Sequence, residues 1–278
     1  MTLAVGFFDG VHLGHQRILA GADAVLTFRN HPLSVVDPSC APPLLMDVSE
    51  RIALLATAGA KNPRVVHAVR FTKKLAAMRP EEFAVRLRRE FPGLEKVHCG
   101  GNWRFGANGA GTPQTLRDFG FAVKVSRYAM CGGAAISSTR IRSALAEGDL
   151  DLANAMLGRR FAVSGRVVRG KGIGGGIGSP TLNLEVSPPL KLGVDAVDTR
   201  YGRGVANYGF APTMGADSWR RPVLEVHLLD RADGRGVPAR GTVRVEFAKF
   251  LRPERKFASI KALRRQIAAD IAAALSVE

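Results

Sequence analysis

The sequence predicts a Rossmann-like α/β domain followed by a small β-barrel with a C-terminal helix. Three observations predict this. Short apolar runs alternate with helical patterns as far as Leu157, the order of a mostly parallel sheet covered by helices. Beyond Gly158 short strands alternate between glycine and proline turns, as they do in small barrels. From Ile260 onward Leu263, Ile267, Ile271 and Leu275 recur at helical spacing behind Ser259, a plausible N-cap. The expected domains are residues 1–157 and 158–278.

In chain order, Leu3 to Phe8 reads as a buried strand ending at the Asp9-Gly10 turn. Further strands are expected at Ala24 to Phe28, Val65 to Val69, Lys96 to Cys99 and Ala122 to Val125. Ser49 can cap one helix, Pro80 fits the first turn of another, and Thr112-Pro113 and Ser138-Thr139 open two more. The stretch between His15 and Phe28 is near the minimum for a crossover between parallel strands, so the first helix must be short. In the second half, strands are expected at Phe161 to Val168, Gly204 to Asn207, Val223 to Leu229 and Thr242 to Phe250.

Composition limits the function classes. With 40 Lys and Arg against 24 Asp and Glu, the formal charge is +16, which attracts polyanions, nucleotides among them. Basic residues are spread along the chain with no aromatic-basic stripe, so a nucleic-acid-binding protein is a rival reading rather than the leading one. Cys40, Cys99 and Cys131 lie far apart and offer no metal-ligand spacing. Met1 to Gly10 lacks a basic leader, and no apolar run approaches membrane-spanning length. The expectation is a cytoplasmic protein with reduced thiols, acting on small molecules and engaging neither nucleic acid nor membrane.

The first chemical constellation is Gly6-Phe7-Phe8-Asp9-Gly10-Val11-His12-Leu13-Gly14-His15. A strand and tight turn deliver His12 and His15, three apart, to one face of a helix start. Free N–H groups and the helix dipole there favour phosphate oxygens. Gly14 leaves room for a nucleotide, and two imidazoles supply donors toward charge developing as a phosphorus centre is attacked. The bland alternative, a capping or core histidine pair, loses ground because two histidines bracket a glycine just past a strand. Ser138 and Thr139 open a helix whose Arg142 lies on the same face, a set that either caps a solvated basic helix or holds phosphate oxygens. Gly100 to Gly106 follow a strand end, where parallel sheets bind ligands. In that loop Asn102 is a polar candidate, while Trp103 and Phe105 either stack on a ring or anchor the loop.

The second constellation is Gly178-Ser179-Pro180-Thr181-Leu182-Asn183 behind a glycine-rich loop. The loop can wrap phosphate oxygens. Thr181 and Asn183 point the same way on an extended segment and can share a metal and a phosphate. Glu225 shares strand parity with Val223 and His227; it is either a proton acceptor for an alcohol attacking a phosphoryl group or an exposed barrel residue.

These segments resemble the prokaryotic bifunctional riboflavin kinase/FAD synthetase family. In the first half the likeness runs through the histidine motif, Thr27-Phe28 with His31-Pro32, Phe71-Thr72 with Pro80 to Phe83, the Asn102 loop and Ser137-Ser138-Thr139-Arg140-Ile141-Arg142. The resemblance implies that His12 and His15 face the ATP α-phosphate, that Asn102 positions the reacting phosphates, and that Ser138, Thr139 and Arg142 hold the departing pyrophosphate. The second half resembles the family's riboflavin kinase module, a six-stranded barrel with a terminal helix. The matching pieces are Pro180-Thr181 with Asn183, Gly193-Val194, Val205 to Asn207, Gly209, Pro212-Thr213, Glu225 to Leu228, and Leu251-Arg252 through Phe257. This likeness implies that Thr181 and Asn183 bind Mg-ATP and that Glu225 is the base on the riboflavin 5′-hydroxyl. The activity implied is riboflavin to FMN and FMN to FAD, with ATP and magnesium in both steps.

In the first half the stretch after His15 is shorter than the family's helix there, and heavier departures lie in the kinase half. Gly174-Gly175 stand where the family has Gly-Arg, Asp195 where it has a tyrosine, and Ala211 where it has an arginine. They imply weak ATP binding at that site. Two rival enzyme readings follow: an FAD synthetase with a weak or inactive kinase domain, and another nucleotidyltransferase using the same histidine motif.

Overall fold

A computed structural model describes residues 1–58, 64–168, 181–210, 222–230 and 238–277. Packing divides the chain into two compact units, residues 1–138 and 139–278.

The first unit begins with β1 (Thr2–Val5), α1 (Leu13–Leu19), β2 (Ala24–Phe28), α2 (Leu33–Val36), α3 (Val48–Thr57) and β3 (Val65–Val69). There follow α4 (Lys73–Ala76), α5 (Pro80–Glu90), β4 (Lys96–Gly100), α6 (Pro113–Asp118), β5 (Ala122–Ser126) and a hairpin of β6 (Met130–Cys131) and β7 (Ala134–Ala135). Five strands form a sheet in the order β3-β2-β1-β4-β5, every neighbour parallel. Side chains alternate between its faces. Leu3, Val5 and Leu26 pack with Phe83 and Leu87 of α5 and Leu116 of α6. Ala4 and Val25 pack on the other face with Ile18 and Leu19 of α1 and Leu55 of α3. Both faces are buried, as a parallel sheet requires.

Local signals explain most boundaries. Thr112 caps α6 by accepting from Thr115 N, and Pro80 occupies the first turn of α5. Two expectations need correction. β1 stops at Val5, because the chain turns into a left-handed conformation at Phe8, with φ 59°. The cap of α3 is Asp47, whose carboxylate accepts from Glu50 N, while Ser49 sits inside the helix and donates to Asp47. A carboxylate outcompetes a hydroxyl for a helix N-terminus because it also meets the dipole.

The second unit contains α7 (Ser138–Glu147, from its second residue), α8 (Leu150–Leu157), β8 (Phe161–Val168), β9 (Thr181–Glu185) and β10 (Gly193–Thr199). It continues with β11 (Gly202–Gly209), β12 (Val223–Leu228), β13 (Thr242–Pro253) and α9 (Ile260–Leu275). Six strands close into an antiparallel barrel in the order β10-β11-β12-β9-β8-β13. Leu182, Leu184, Leu224, Val226, Leu228, Val245 and Phe247 are buried among its inward residues. Gly158 ends α8 in the left-handed region, with φ 70°, a backbone that favours glycine. α7 and α8 pack with the barrel: Lys191 N donates to Leu145 O at 2.9 Å, and Asn154 Nδ2 donates to Phe247 O at 3.2 Å.

Ser259 caps α9 as expected. The helix is held to β13 by Arg252, whose Nε and Nη2 donate to the Asp270 carboxylate at 2.7–3.1 Å. Ile271 and Ala274 pack on Val194, Ala196 and Val205. Leu263 and Leu275 remain exposed, so the buried stripe is narrower than the apolar spacing predicts. The glycine-rich segment with Gly174, Gly175, Gly178, Ser179 and Pro180, and Ala211 to Thr213, lie outside the described residues.

Candidate active sites

The strand order reverses direction between β1 and β4, and the carboxyl ends of such strands flank a ligand crevice. The histidine motif leaves the end of β1, and the Asn102 loop leaves the end of β4. His12 is the N-cap of α1 and is 5% exposed. Its Nδ1 accepts from His15 N at 3.3 Å, and the two imidazoles stack with centroids 3.5 Å apart. His15 also meets the Phe8 ring edge-on at 5.3 Å. A side chain at Gly14 would place its Cβ 3.1 Å from the His12 ring, crowding the stacked pair.

The turn before the histidines is strained, since Phe8 and Val11 both have positive φ, each costing about 1–3 kcal/mol. Several groups hold it in place. Both Asp9 carboxylate oxygens accept from Leu45 N, at 3.0 and 3.1 Å. Ser138 Oγ donates to Asp9 O at 2.8 Å, Thr27 Oγ1 to Phe7 O at 3.0 Å, and Gln16 Nε2 to Val11 O at 3.1 Å. Ser138 thus helps secure the histidine turn. Thr139, exposed, and Arg142, half-buried, follow it along α7.

Asn102 is exposed, with its Oδ1 folded over Gly100. Trp103 stacks on Phe105 at 4.8 Å, and Phe105 is buried against Phe83. The structure therefore favours the anchoring role for this aromatic pair.

Sequence reasoning missed Arg51. It lies fully buried in α3, its guanidinium 4.1 Å over the Phe7 ring. Nη2 donates to Phe28 O at 2.5 Å and to Arg29 O at 3.2 Å, so the guanidinium bridges the end of β2 and the Phe7 ring just beyond β1. Burial lowers its pKa, while Asp9 and Asp47 oppose the shift. Between Glu50 and Ile52 the residue reads as an ordinary solvated helix cation, so no sequence signal marked it.

The second constellation is set by barrel register. On β9 and β12 Leu182, Leu184, Leu224, Val226 and Leu228 point inward and are buried, while Thr181, Asn183, Val223, Glu225 and His227 face outward and are half-buried. Asn183 lies opposite Glu225, Thr181 opposite His227, and Asn207 of β11 opposite Glu225 from the other side. Thr181 Oγ1 and His227 Nδ1 are 3.0 Å apart. Burial lowers the His227 pKa, and the Glu225 charge opposes that shift. Val205, on the same face as Asn207, packs against α9, so the helix borders this polar patch. No group of three or more His, Cys, Asp or Glu able to hold a metal occurs among the described residues. The hydroxyl, amide and carboxylate oxygens here instead suit a hard divalent cation that keeps water and phosphate ligands.

Asp195 of β10 points into the barrel, fully buried, and neither carboxylate oxygen has a hydrogen-bond partner among the described residues. Burial pushes its pKa well above the usual carboxylate range.

Comparison with known proteins covers both units. Residues 1–140 match the FAD synthetase family model, and residues 157–277 match the riboflavin kinase model. Bifunctional riboflavin kinase/FMN adenylyltransferases are similar over 97% of this chain and 90% of theirs: 35% identity for that of Pseudomonas fluorescens, 36% for Escherichia coli K12 and 32% for Bacillus subtilis. A crystal structure described as a macrolide-efflux protein from Streptococcus pneumoniae superposes with a TM-score of 0.84 at 25% identity, over 100% of this chain and 94% of that one. No helix among the described residues is long and apolar enough to cross a membrane. With both domain models matched in order and this identity sustained along nearly the whole chain, the protein belongs to the bifunctional riboflavin kinase/FMN adenylyltransferase family.

Proposed function

We propose that this chain phosphorylates riboflavin to FMN on the barrel and adenylylates FMN to FAD on the parallel sheet, with ATP as donor in both steps. The observation that carries the reading is the stacked His12–His15 pair at the carboxyl end of β1, beside the strand that delivers Asn102. In the adenylylation step an FMN phosphate oxygen attacks the ATP α-phosphorus and pyrophosphate departs. His12 and His15 donate to the oxygens that gain charge, and Asn102 orients the phosphates. Ser138, Thr139 and Arg142 hold the leaving group, and Gly14 keeps the approach open.

In the phosphorylation step Glu225 accepts the proton of the riboflavin 5′-hydroxyl as its oxygen attacks the γ-phosphorus, the β,γ-bridge bond breaks and ADP departs. Thr181 and Asn183 hold the nucleotide through a divalent cation, magnesium in this reading. That cation, when bound, neutralises charge developing on the phosphates. The two activities divide near residue 157, and we assign the protein to the cytoplasm.

The test supplies riboflavin and Mg-ATP and separates flavins by chromatography. His15→Ala should lower FAD formation by about 2–4 kcal/mol of transition-state stabilisation while FMN still accumulates. Glu225→Gln should lower FMN formation about 100- to 10,000-fold, leaving FAD formation from added FMN intact. Loss of both activities in either folded variant refutes the division.

A further inference from the structure

Among the described residues of the outward patch, the mechanism leaves Asn207 and His227 unused, and His227 lies within hydrogen-bond reach of Thr181. His227 sits directly across the strand pair from Thr181, and its Nδ1 lies 3.0 Å from Thr181 Oγ1. A threonine is stiff about χ1, so once its backbone is fixed in β9 only the hydroxyl proton is free to rotate. Where that proton points decides what the oxygen offers. Aimed outward, it blocks a lone pair and repels a cation. Donated to an imidazole nitrogen, it leaves both lone pairs available.

We propose that His227 is a positioning residue of the phosphorylation site: its Nδ1 accepts the Thr181 hydroxyl proton and so presents the oxygen lone pairs to the divalent cation and phosphates of ATP. The proposal rests on the reading that Thr181 and Glu225 belong to that site. The ring lies on the outward face with Thr181 and Glu225, while its neighbours Val226 and Leu228 point into the barrel. With Nδ1 serving as acceptor, the neutral ring carries its proton on Nε2.

Two measurements on the full chain test this. The first needs no turnover. A long-range ¹H–¹⁵N correlation spectrum of the ligand-free protein should show His227 as the Nε2–H tautomer, assigned by the signal missing from His227→Asn. An Nδ1–H tautomer overturns the proposal.

The second follows total FMN and FAD made from riboflavin across an Mg-ATP series. His227→Phe removes the acceptor and should raise the KM for Mg-ATP about tenfold, equivalent to about 1.4 kcal/mol, the scale of one neutral hydrogen bond. The KM for riboflavin should stay unchanged. His227→Asn, whose Oδ1 can accept in place of Nδ1, should restore most of the loss. Equal effects on both substrates, or no rescue by Asn, overturn the assignment. Thr181→Ala and Glu225→Gln distinguish the failure of the underlying reading: if FMN formation survives in both, the site itself is misplaced and His227 falls with it.

Discussion

Replacing Asp195 offers a direct test of how the barrel core is built. Its carboxyl group is enclosed by the barrel, on a strand residue paired with Ala206 and Phe250, with neither oxygen hydrogen-bonded among the described residues. Burial disfavours its charged form, so the native state keeps the proton to higher pH than the unfolded chain, whose carboxyl releases it near 3.8. A pKa raised by folding means that this group's contribution to stability is fully present below 3.8 and is lost as pH rises, until the native group also ionises. Across that window each pH unit costs about 1.4 kcal/mol. Asp195→Asn keeps the shape and removes the titration, so this slope should vanish. Asp195→Val also buries apolar surface, worth about 1.5–3 kcal/mol for a fully buried side chain. The assay is native-state hydrogen exchange of β10, β12 and β13 peptides between pH 5 and 8, corrected for intrinsic rates, because exchange reads the barrel separately from the first unit. Wild type and Asp195→Asn losing protection with the same pH slope would refute the reasoning.

Other perturbations have similarly definite outcomes. Gly14→Ala should push the His12 ring off His15, given the 3.1 Å approach, and lower FAD formation with little change in the melting of the first unit. A kinetic assay with added FMN checks it. Asp270→Ala strands Arg252 at a largely buried position and should destabilise α9 docking by about 3–5 kcal/mol, read as lost exchange protection in α9 peptides.

Much of this architecture was legible because local and global preferences agree. Thr112, Pro80 and Ser259 each sit where capping chemistry requires, and period-two alternation placed β8 and β12. The histidine pair could be read because a strand, a turn and a helix start leave few choices for where two side chains three apart will point. Arg51 was not legible, since its burial comes from β1 and β2, segments distant in sequence. The strain at Phe8 and Val11 escaped for a related reason: positive φ at a bulky residue is imposed by Leu45, Thr27 and Ser138 from outside. Asp195 was visible only as a departure from a pattern. Which face of β10 it occupies depends on barrel closure. His227 shared visible parity with Glu225, but its partner Thr181 is fixed by register across two strands.

The order of strands in the sheet also bears on how the chain acquires its chemistry during synthesis. β1 emerges first and carries the histidine turn, yet its partner β4 pairs Thr2 with Lys96, and Ser138, which secures Asp9, comes later still. A nascent chain that has released only its first two strands holds both imidazoles, β2 and the Thr27 hydroxyl, but neither β4 nor the Ser138 hydroxyl that secures Asp9. Long-range pairing of this kind is slow to close. The histidine turn is therefore a late product of folding, completed only once Ser138 has emerged from the ribosome and closed on Asp9.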